Sequence, residues 1–242
     1  MEQIGFKCNR GAVRENNEDA CFVIPSQDVY IVADGVGGNN SGEVASRTAV
    51  GDIAAYVNEH NISQYRDPDD VFAFMEDALS HANENILKLS QEGSRYRGMA
   101  TTVVMVYFNR GEGYIANIGD SRAYLYRDGQ LVKVTKDHTY VNELVDKGVI
   151  TKDEAENHQQ KNVITKALGA DRFVEPDFYK IGLHKDDIIM LCSDGLYGEV
   201  SDEEIAAIIA EGNNMNDTCA RLVDAAIVSG GRDNITVVCV KI

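Results

Sequence analysis

The chain is short of positive charge. Only 23 Lys and Arg stand against 39 Asp and Glu in 242 residues, giving a net charge of −16. That deficit excludes a protein that binds nucleic acid by neutralising its phosphates. Cysteine is also scarce. Cys8, Cys21, Cys192, Cys219 and Cys239 are odd in number and contain no Cys-x-x-Cys pair, so the ligand spacing of a zinc site is absent. Three of them lie in or beside apolar runs, where a thiol behaves as a small hydrophobe. All five read as reduced, which fits a cytoplasmic compartment. Residues Met1 to Lys7 lack a basic segment followed by an apolar core, so no signal peptide is expected. No apolar stretch approaches the ~20 residues of a bilayer span. Missing, too, are βαβαβ alternation and a glycine-rich phosphate loop between strand and helix, which argues against a parallel doubly wound sheet.

Hydrophobic residues make up 44% of the chain, enough for one large core, and residues 1–242 read as a single domain. Strand-like runs dominate: Cys21–Ile24, Val29–Ala33, Thr101–Phe108, Tyr114–Ile118, Ala123–Tyr126, Leu131–Val134, Ile188–Cys192 and Ile235–Val240. Asp128-Gly129 between two of them is a strong hairpin signal. Four amphipathic helices are expected at Ser41–His60 with Ser41 as N-cap, Asp70–Ser90, Ser201 to about Ala210, and Asn216–Val228. Short connections imply antiparallel pairing. The expected class is α+β: two antiparallel sheets, each covered by a helix pair, in a four-layer α-β-β-α sandwich. Tyr140 to Phe178 is polar and poor in apolar positions, with a short helix at Val141–Lys147 and a capped turn at Thr151–Glu154. It reads as a surface insertion, either a lid or an ordinary connection.

Against that background the acids stand out. Asp34-Gly35 ends one apolar run, Asp194-Gly195 ends another, and Asp233-Asn234 opens a third. A carboxylate at a buried strand end is costly unless it is paired or binds a metal. With Glu18 and Asp19 near the start, these acids suggest hard oxygen ligands gathered by a folded sheet, a set suited to Mg²⁺ or Mn²⁺. Each site alone has a bland reading. Asp34-Gly35 and Gly119-Asp120-Ser121-Arg122 could be tight turns. Arg14 could form a surface ion pair, or its guanidinium could clamp two phosphate oxygens. Asp128-Gly129 is assigned to a hairpin only.

Taken together, Gly11-x-x-Arg14-x-x-Asn17-Glu18-Asp19, Asp34-Gly35-Val36-Gly37-Gly38, Thr101-Thr102, Asn117-x-Gly119-Asp120-Ser121-Arg122, Ser193-Asp194-Gly195-Leu196 and Gly231-x-Asp233-Asn234-Ile235-Thr236 resemble the metal-dependent protein phosphatases, the type 2C Ser/Thr phosphatases in their short bacterial form. The resemblance covers essentially the whole chain, in order. It implies a β-sandwich with two Mn²⁺ or Mg²⁺ ions at one end and hydrolysis of phosphoserine and phosphothreonine on proteins by an activated water, without a phosphoenzyme. By resemblance, Asp34 bridges the ions, Asp194 and Asp233 complete the first, and the Gly35 carbonyl binds the second. Glu18 and Asp19 hold waters around the ions or ligate directly. Asp120 supports a third, weaker ion, Arg14 binds phosphate, and the insertion at 140–178 is the mobile flap. The implied partners are phosphoproteins, with a Ser/Thr kinase and its targets among them. The implied setting is a cytoplasmic monomer.

The chain departs from the family at two places. Asn9 stands where most bacterial members carry Asp, for which a local structural effect is expected. Val36 stands where animal members carry a histidine. His138, in Lys136-Asp137-His138-Thr139, resembles a recurrent segment leading into the flap; it is either an incidental histidine or a catalytic one. Two other readings compete. An aspartyl-phosphate hydrolase would need a second Asp two positions after Asp34, where Val36 stands. A non-catalytic phosphoprotein-binding module of the same fold should lack one of Asp34, Asp194 and Asp233.

Overall fold

The computed structural model describes residues 3–37, 41–212 and 214–242. Eleven strands occur among them: β1 (Gln3–Asn9), β2 (Asp19–Ile24), β3 (Val29–Val36), β4 (Ala100–Thr101), β5 (Val103–Asn109), β6 (Glu112–Ile118), β7 (Arg122–Arg127), β8 (Gln130–Lys133), β9 (Asp177–Gly182), β10 (Ile188–Cys192) and β11 (Ile235–Lys241). The α-helices are α1 (Ser41–His60), α2 (Pro68–Gln91), α3 (Tyr140–Asp146), α4 (Lys152–Glu156), α5 (Asp194–Tyr197), α6 (Asp202–Glu211) and α7 (Met215–Val228). One sheet has the order β1-β11-β10-β7-β8, and the other β2-β3-β5-β6-β9 with β4 on β3. Every strand pair is antiparallel.

Side-chain alternation along the strands explains the layering. On β3, Tyr30 and Val32 face the other sheet, where they meet Ile189, Leu191, Val238 and Val240. Ile31 and Ala33, one residue out of phase, join the apolar faces of α1 and α2. On β11, Val238 and Val240 enter the same central layer, while Val237 and Cys239 pack under α6 and α7 with Leu222 and Val223. A strand covered on both faces reads as an unbroken apolar run, because its two side-chain rows each need a dry partner. The α-β-β-α sandwich follows.

Several local expectations shift. Asp128 and Gly129 both have positive φ, 52° and 81°, as a two-residue hairpin turn of type I′ requires. Ser41 lies inside α1 rather than capping it. The Asp70 start moves back to Pro68, where Asp67 caps the helix and proline occupies the first turn. Asn214 caps α7, one residue before Met215. The expected strand at Thr101–Phe108 is broken at Thr102, so that β4 and β5 are separate. Asp34 does not end its strand: β3 runs on to Val36. Asp194 opens a helix. The insertion ends before Asp177, because 177–182 forms β9 on β6. Strand β1 lies outside the runs that read as strands in sequence. Its side chains are mostly exposed, so it carries no apolar signature, and it exists through seven paired positions on β11. Among the described residues, no helix is long and apolar enough to cross a membrane.

Candidate metal and phosphate site

The expected acids meet at one end of the sandwich, and pairing across sheets brings them there. In the β2–β3 ladder Asp19 lies directly opposite Asp34. Ser193, following β10, donates its hydroxyl to Asp19 Oδ2 at 2.7 Å and receives the Thr236 N–H of β11 at 3.0 Å. That single serine joins the first sheet to the second across 174 residues of sequence. Asn234 makes the second link. Its Oδ1 accepts the Glu18 N–H at 2.8 Å, while its Nδ2 donates to the Arg10 and Asn16 carbonyls at 2.9 and 2.8 Å.

The backbone at Asp34 is held independently of its carboxylate. Its N–H donates to Thr102 Oγ1 at 2.9 Å, and its carbonyl accepts from Thr101 Oγ1 and from the Thr102 N–H, both at 2.9 Å. The break between β4 and β5 frees Thr102 for this task. Gly35 lies against the first turn of α1: a Cβ on Gly35 would sit 2.1 Å from the Gly42 carbonyl oxygen, and one on Gly42 would sit 2.7 Å from the Gly35 oxygen. Only hydrogen fits at either position. Gly38, the last glycine of that motif, lies outside the described residues.

Like charges dominate the electrostatics. Asp34 is pushed well above the usual carboxylate range, first by burial and then by Asp19, Asp194, Asp120 and Asp233. Burial likewise raises Asp19 to about 7, with Asp194 and Asp233 adding to the effect. It raises Asp120 to about 7, aided by Asp194 and Asp137, and Asp194 to about 6, aided by Asp233. Glu18, half-buried, is also raised by desolvation. Arg14 Nη2 donates to Asp233 Oδ2 at 2.7 Å. Asp34 thus interacts with Asp19, Asp120, Asp194 and Asp233, and Arg14 with Glu18, Asp34 and Asp233.

These residues fit a hard dication. Asp19 Oδ1 and Asp194 Oδ1 are buried oxygens without a hydrogen-bond partner, and a buried polar atom left in that state costs free energy. A divalent ion would satisfy them and reverse the repulsion. Among the described residues, no three His, Cys, Asp or Glu side chains already lie close enough together to hold a metal ion.

Further residues serve the site without having been assigned roles from sequence. Ser193, Asn234 and Thr102 sit inside the quoted motifs, yet their hydrogen bonds depend on residues far away in the chain. Tyr197 donates its hydroxyl to the Asp120 carbonyl at 2.9 Å. Arg122 stacks on the Tyr197 ring, 3.3 Å from its centroid, and grips Asp137 with two nitrogens. Tyr197 follows the quoted Ser193–Leu196 motif and carries no sequence signal of its own. Asn9, the first departure, accepts the Gly11 N–H at 2.9 Å, a turn bond that Asp could also make. Val36, the second, is 45% exposed. A cleft of about 980 Å³ connects Asp120, Asp194 and Asp233 with α3 and α4 of the insertion, where Asn142 and Lys152 line it.

The family model described as protein phosphatase 2C matches residues 10–228. A serine/threonine phosphatase, stp, of Listeria monocytogenes is 34% identical over 239 residues, covering 98% of this chain and 94% of that protein. The serine/threonine protein phosphatase PstP of Mycobacterium tuberculosis is 36% identical over 232 residues, covering 96% of this chain and 43% of that longer protein. Among solved structures, Mycobacterium tuberculosis PstP/Ppp superposes with a TM-score of 0.90 at 34% identity, covering 100% of this chain and 98% of that one. The catalytic domain of PstP, solved in complex with two manganese ions, gives a TM-score of 0.85 at 34% identity over 99% and 97% of the two chains. On its fold, on the match from residue 10 to 228 and on identity across nearly its whole length, the chain belongs to the protein phosphatase 2C family.

Proposed function

We propose that this protein is a manganese- or magnesium-dependent protein serine/threonine phosphatase that hydrolyses phosphoserine and phosphothreonine on protein substrates. The observation that supports this most is the gathering of Asp19, Asp34, Asp120 and Asp194 with raised pKa values, two of them carrying buried unpartnered oxygens. In this reading Asp34 would help hold both ions, Asp194 and Asp233 the first and the Gly35 carbonyl the second. Glu18 and Asp19 would hold waters or ligate directly, and Asp120 would serve a third, weaker site. When bound, paired dications lower the pKa of an attacking water and clamp the phosphoryl oxygens for in-line displacement.

The chain's own residues do the rest. Arg14 is half-exposed and holds Asp233 through one nitrogen. A guanidinium has five N–H donors, so others remain for a phosphoryl oxygen. Replacing Arg14 by Ala should raise KM about tenfold with little change in kcat, as loss of a charge-assisted hydrogen bond shared by ground and transition states requires. A fall in kcat at constant KM would move Arg14 from substrate binding to transition-state stabilisation. His138 is not placed to protonate the leaving oxygen: Nδ1 accepts the Gly119 N–H, and Nε2 faces Asp177.

Phosphate release from a phosphothreonine peptide, measured with Mn²⁺ and again with EDTA, tests the reading. Release that requires Mn²⁺ is expected. A folded protein that binds the peptide without turnover would instead be a binding module. Asp120→Asn should leave two manganese sites intact in calorimetry and weaken a third, with turnover falling most at limiting metal. Identical behaviour to wild type at limiting metal would reduce Asp120 to a turn residue. We further place the protein in the cytoplasm as a monomer, acting on a Ser/Thr kinase and its targets, with residues 1–242 as one catalytic domain and the flap at 140–176.

A further inference from the structure

His138 holds Gly119 from both sides. Its N–H donates to the Gly119 carbonyl at 2.9 Å, and its Nδ1 accepts the Gly119 N–H at 3.0 Å. Gly119 has φ of +98°, and a Cβ on it would lie 2.5 Å from Thr102 Cγ2. The turn is thus pressed onto Thr102, whose hydroxyl receives the Asp34 N–H and meets Ser121 Oγ at 2.7 Å. Asp120 is the next residue of the same turn.

On its other side, His138 stands where the flap leaves and rejoins the sandwich. Its carbonyl accepts the Thr165 N–H at 2.8 Å, Thr139 bridges Ile164, and the Tyr140 N–H donates to the Val163 carbonyl at 2.8 Å. Nε2 lies 3.2 Å from Asp177 Oδ2, where β9 begins, and Lys166 Nζ holds the other oxygen of that carboxylate at 3.1 Å. This arm is the weaker one, since Nε2 makes no regular hydrogen bond there. Because Nδ1 accepts, the imidazole is neutral with its proton on Nε2. Burial, which pushes the His138 pKa down, favours the same state.

We propose that His138 is a positioning residue that couples the flap to the Gly119–Asp120 turn, so that flap position and the placement of Asp120, and through Thr102 that of Asp34, vary together. The two roots of the flap and the turn share one buried side chain and its peptide, so displacing either root strains the turn. This rests on the phosphatase reading for its consequence in catalysis, while its structural content stands apart from it.

Two variants separate the arms. His138→Asn keeps an acceptor near the Nδ1 position and gives up the arm toward Asp177; His138→Leu gives up both. With p-nitrophenyl phosphate at saturating Mn²⁺, His138→Leu should lose about tenfold or more in kcat, the size expected when a buried N–H is left without its acceptor. KM should change little, and His138→Asn should recover kcat to within about threefold of wild type on the same grounds. Hydrogen exchange supplies the readout that does not depend on turnover. Amides of 119–121 and 139–165 should both exchange faster in His138→Leu, but only those of 139–165 in His138→Asn. A His138→Asn enzyme as slow as His138→Leu, or unchanged exchange at 119–121 in His138→Leu, would overturn the coupling. If His138→Leu fails to fold, His138→Ala, which also gives up both arms, takes its place: faster exchange at both 119–121 and 139–165 is expected, and unchanged exchange at 119–121 would overturn the coupling. Were wild type to release no phosphate, the phosphatase reading would fail, yet exchange would still decide the clasp.

Discussion

Replacing Asp34 by Asn is expected to lower kcat/KM by about 10³-fold or more at saturating Mn²⁺, the several kcal/mol that paired dications contribute to phosphoryl-oxygen charge. The substitution is isosteric, and the peptide of Asp34 is pinned by Thr101 and Thr102 rather than by its carboxylate. The variant should therefore fold. It should also be more stable than wild type in EDTA near pH 8, since the carboxylate it removes is buried among Asp19, Asp120, Asp194 and Asp233. Manganese calorimetry should show the loss of tight binding. Near wild-type turnover with Mn²⁺ would show that the metals, if any, lie elsewhere. Lost turnover accompanied by a lower melting temperature in EDTA would mean that the carboxylate supports the fold.

The metal-free protein is expected to lose stability as pH rises from about 4 to about 7, opposite to ordinary acid denaturation. The sign follows from linkage. Asp19 and Asp120 titrate near 3.8 when unfolded and at about 7 when folded, so between those values the native state holds more protons than the unfolded one. Their contribution is complete below the unfolded pKa and disappears as pH passes the folded one. Asp194, raised to about 6, and Asp34, raised further, act in the same direction. A single buried aspartate displaced by about three pH units corresponds to on the order of 4 kcal/mol; mutual coupling makes the group total smaller than a simple sum. Asp177 and Asp187, whose pKa values are lowered by their basic partners, oppose the trend only below the unfolded carboxylate range. Urea melts in EDTA at pH 5 and pH 8 measure the difference, and Mn²⁺ at pH 8 should restore the lost stability by binding the native state. Equal stability at both pH values without metal would mean that the carboxylates are solvated and separate, contrary to the site described above.

How far the sequence reaches is clearest residue by residue. Asp34, Asp194 and Asp233 were legible because each interrupts or borders an apolar run, where an acid has no business unless something neutralises it. The central strands and four large helices were legible for the same reason: their side chains face dry neighbours, and period 2 or 3.6 in hydrophobicity survives in one dimension. Strand β1 left no such trace, since four of its seven residues are exposed and its pairing partner is the distant β11. Nor did β9, none of whose residues is fully buried, so its first two residues read as part of the insertion. Glu18 and Asp19 looked equivalent in sequence. Cross-strand register separates them, burying Asp19 opposite Asp34 and leaving Glu18 half-covered. His138 had two readings in sequence, and the structure gives it a third, between the Gly119 turn and the ends of the insertion.

By itself the sequence determined the class of chemistry, because residue types and their local spacing carry it: hard oxygen donors beside strands, one arginine, glycines where backbones must touch. Only tertiary structure decided which oxygens are left unpartnered, which serine ties one sheet to the other, and how the ends of the insertion are fastened. Those properties depend on distances between residues as many as 224 positions apart. Such distances are set by the pairing and stacking of whole sheets, and no local pattern encodes them.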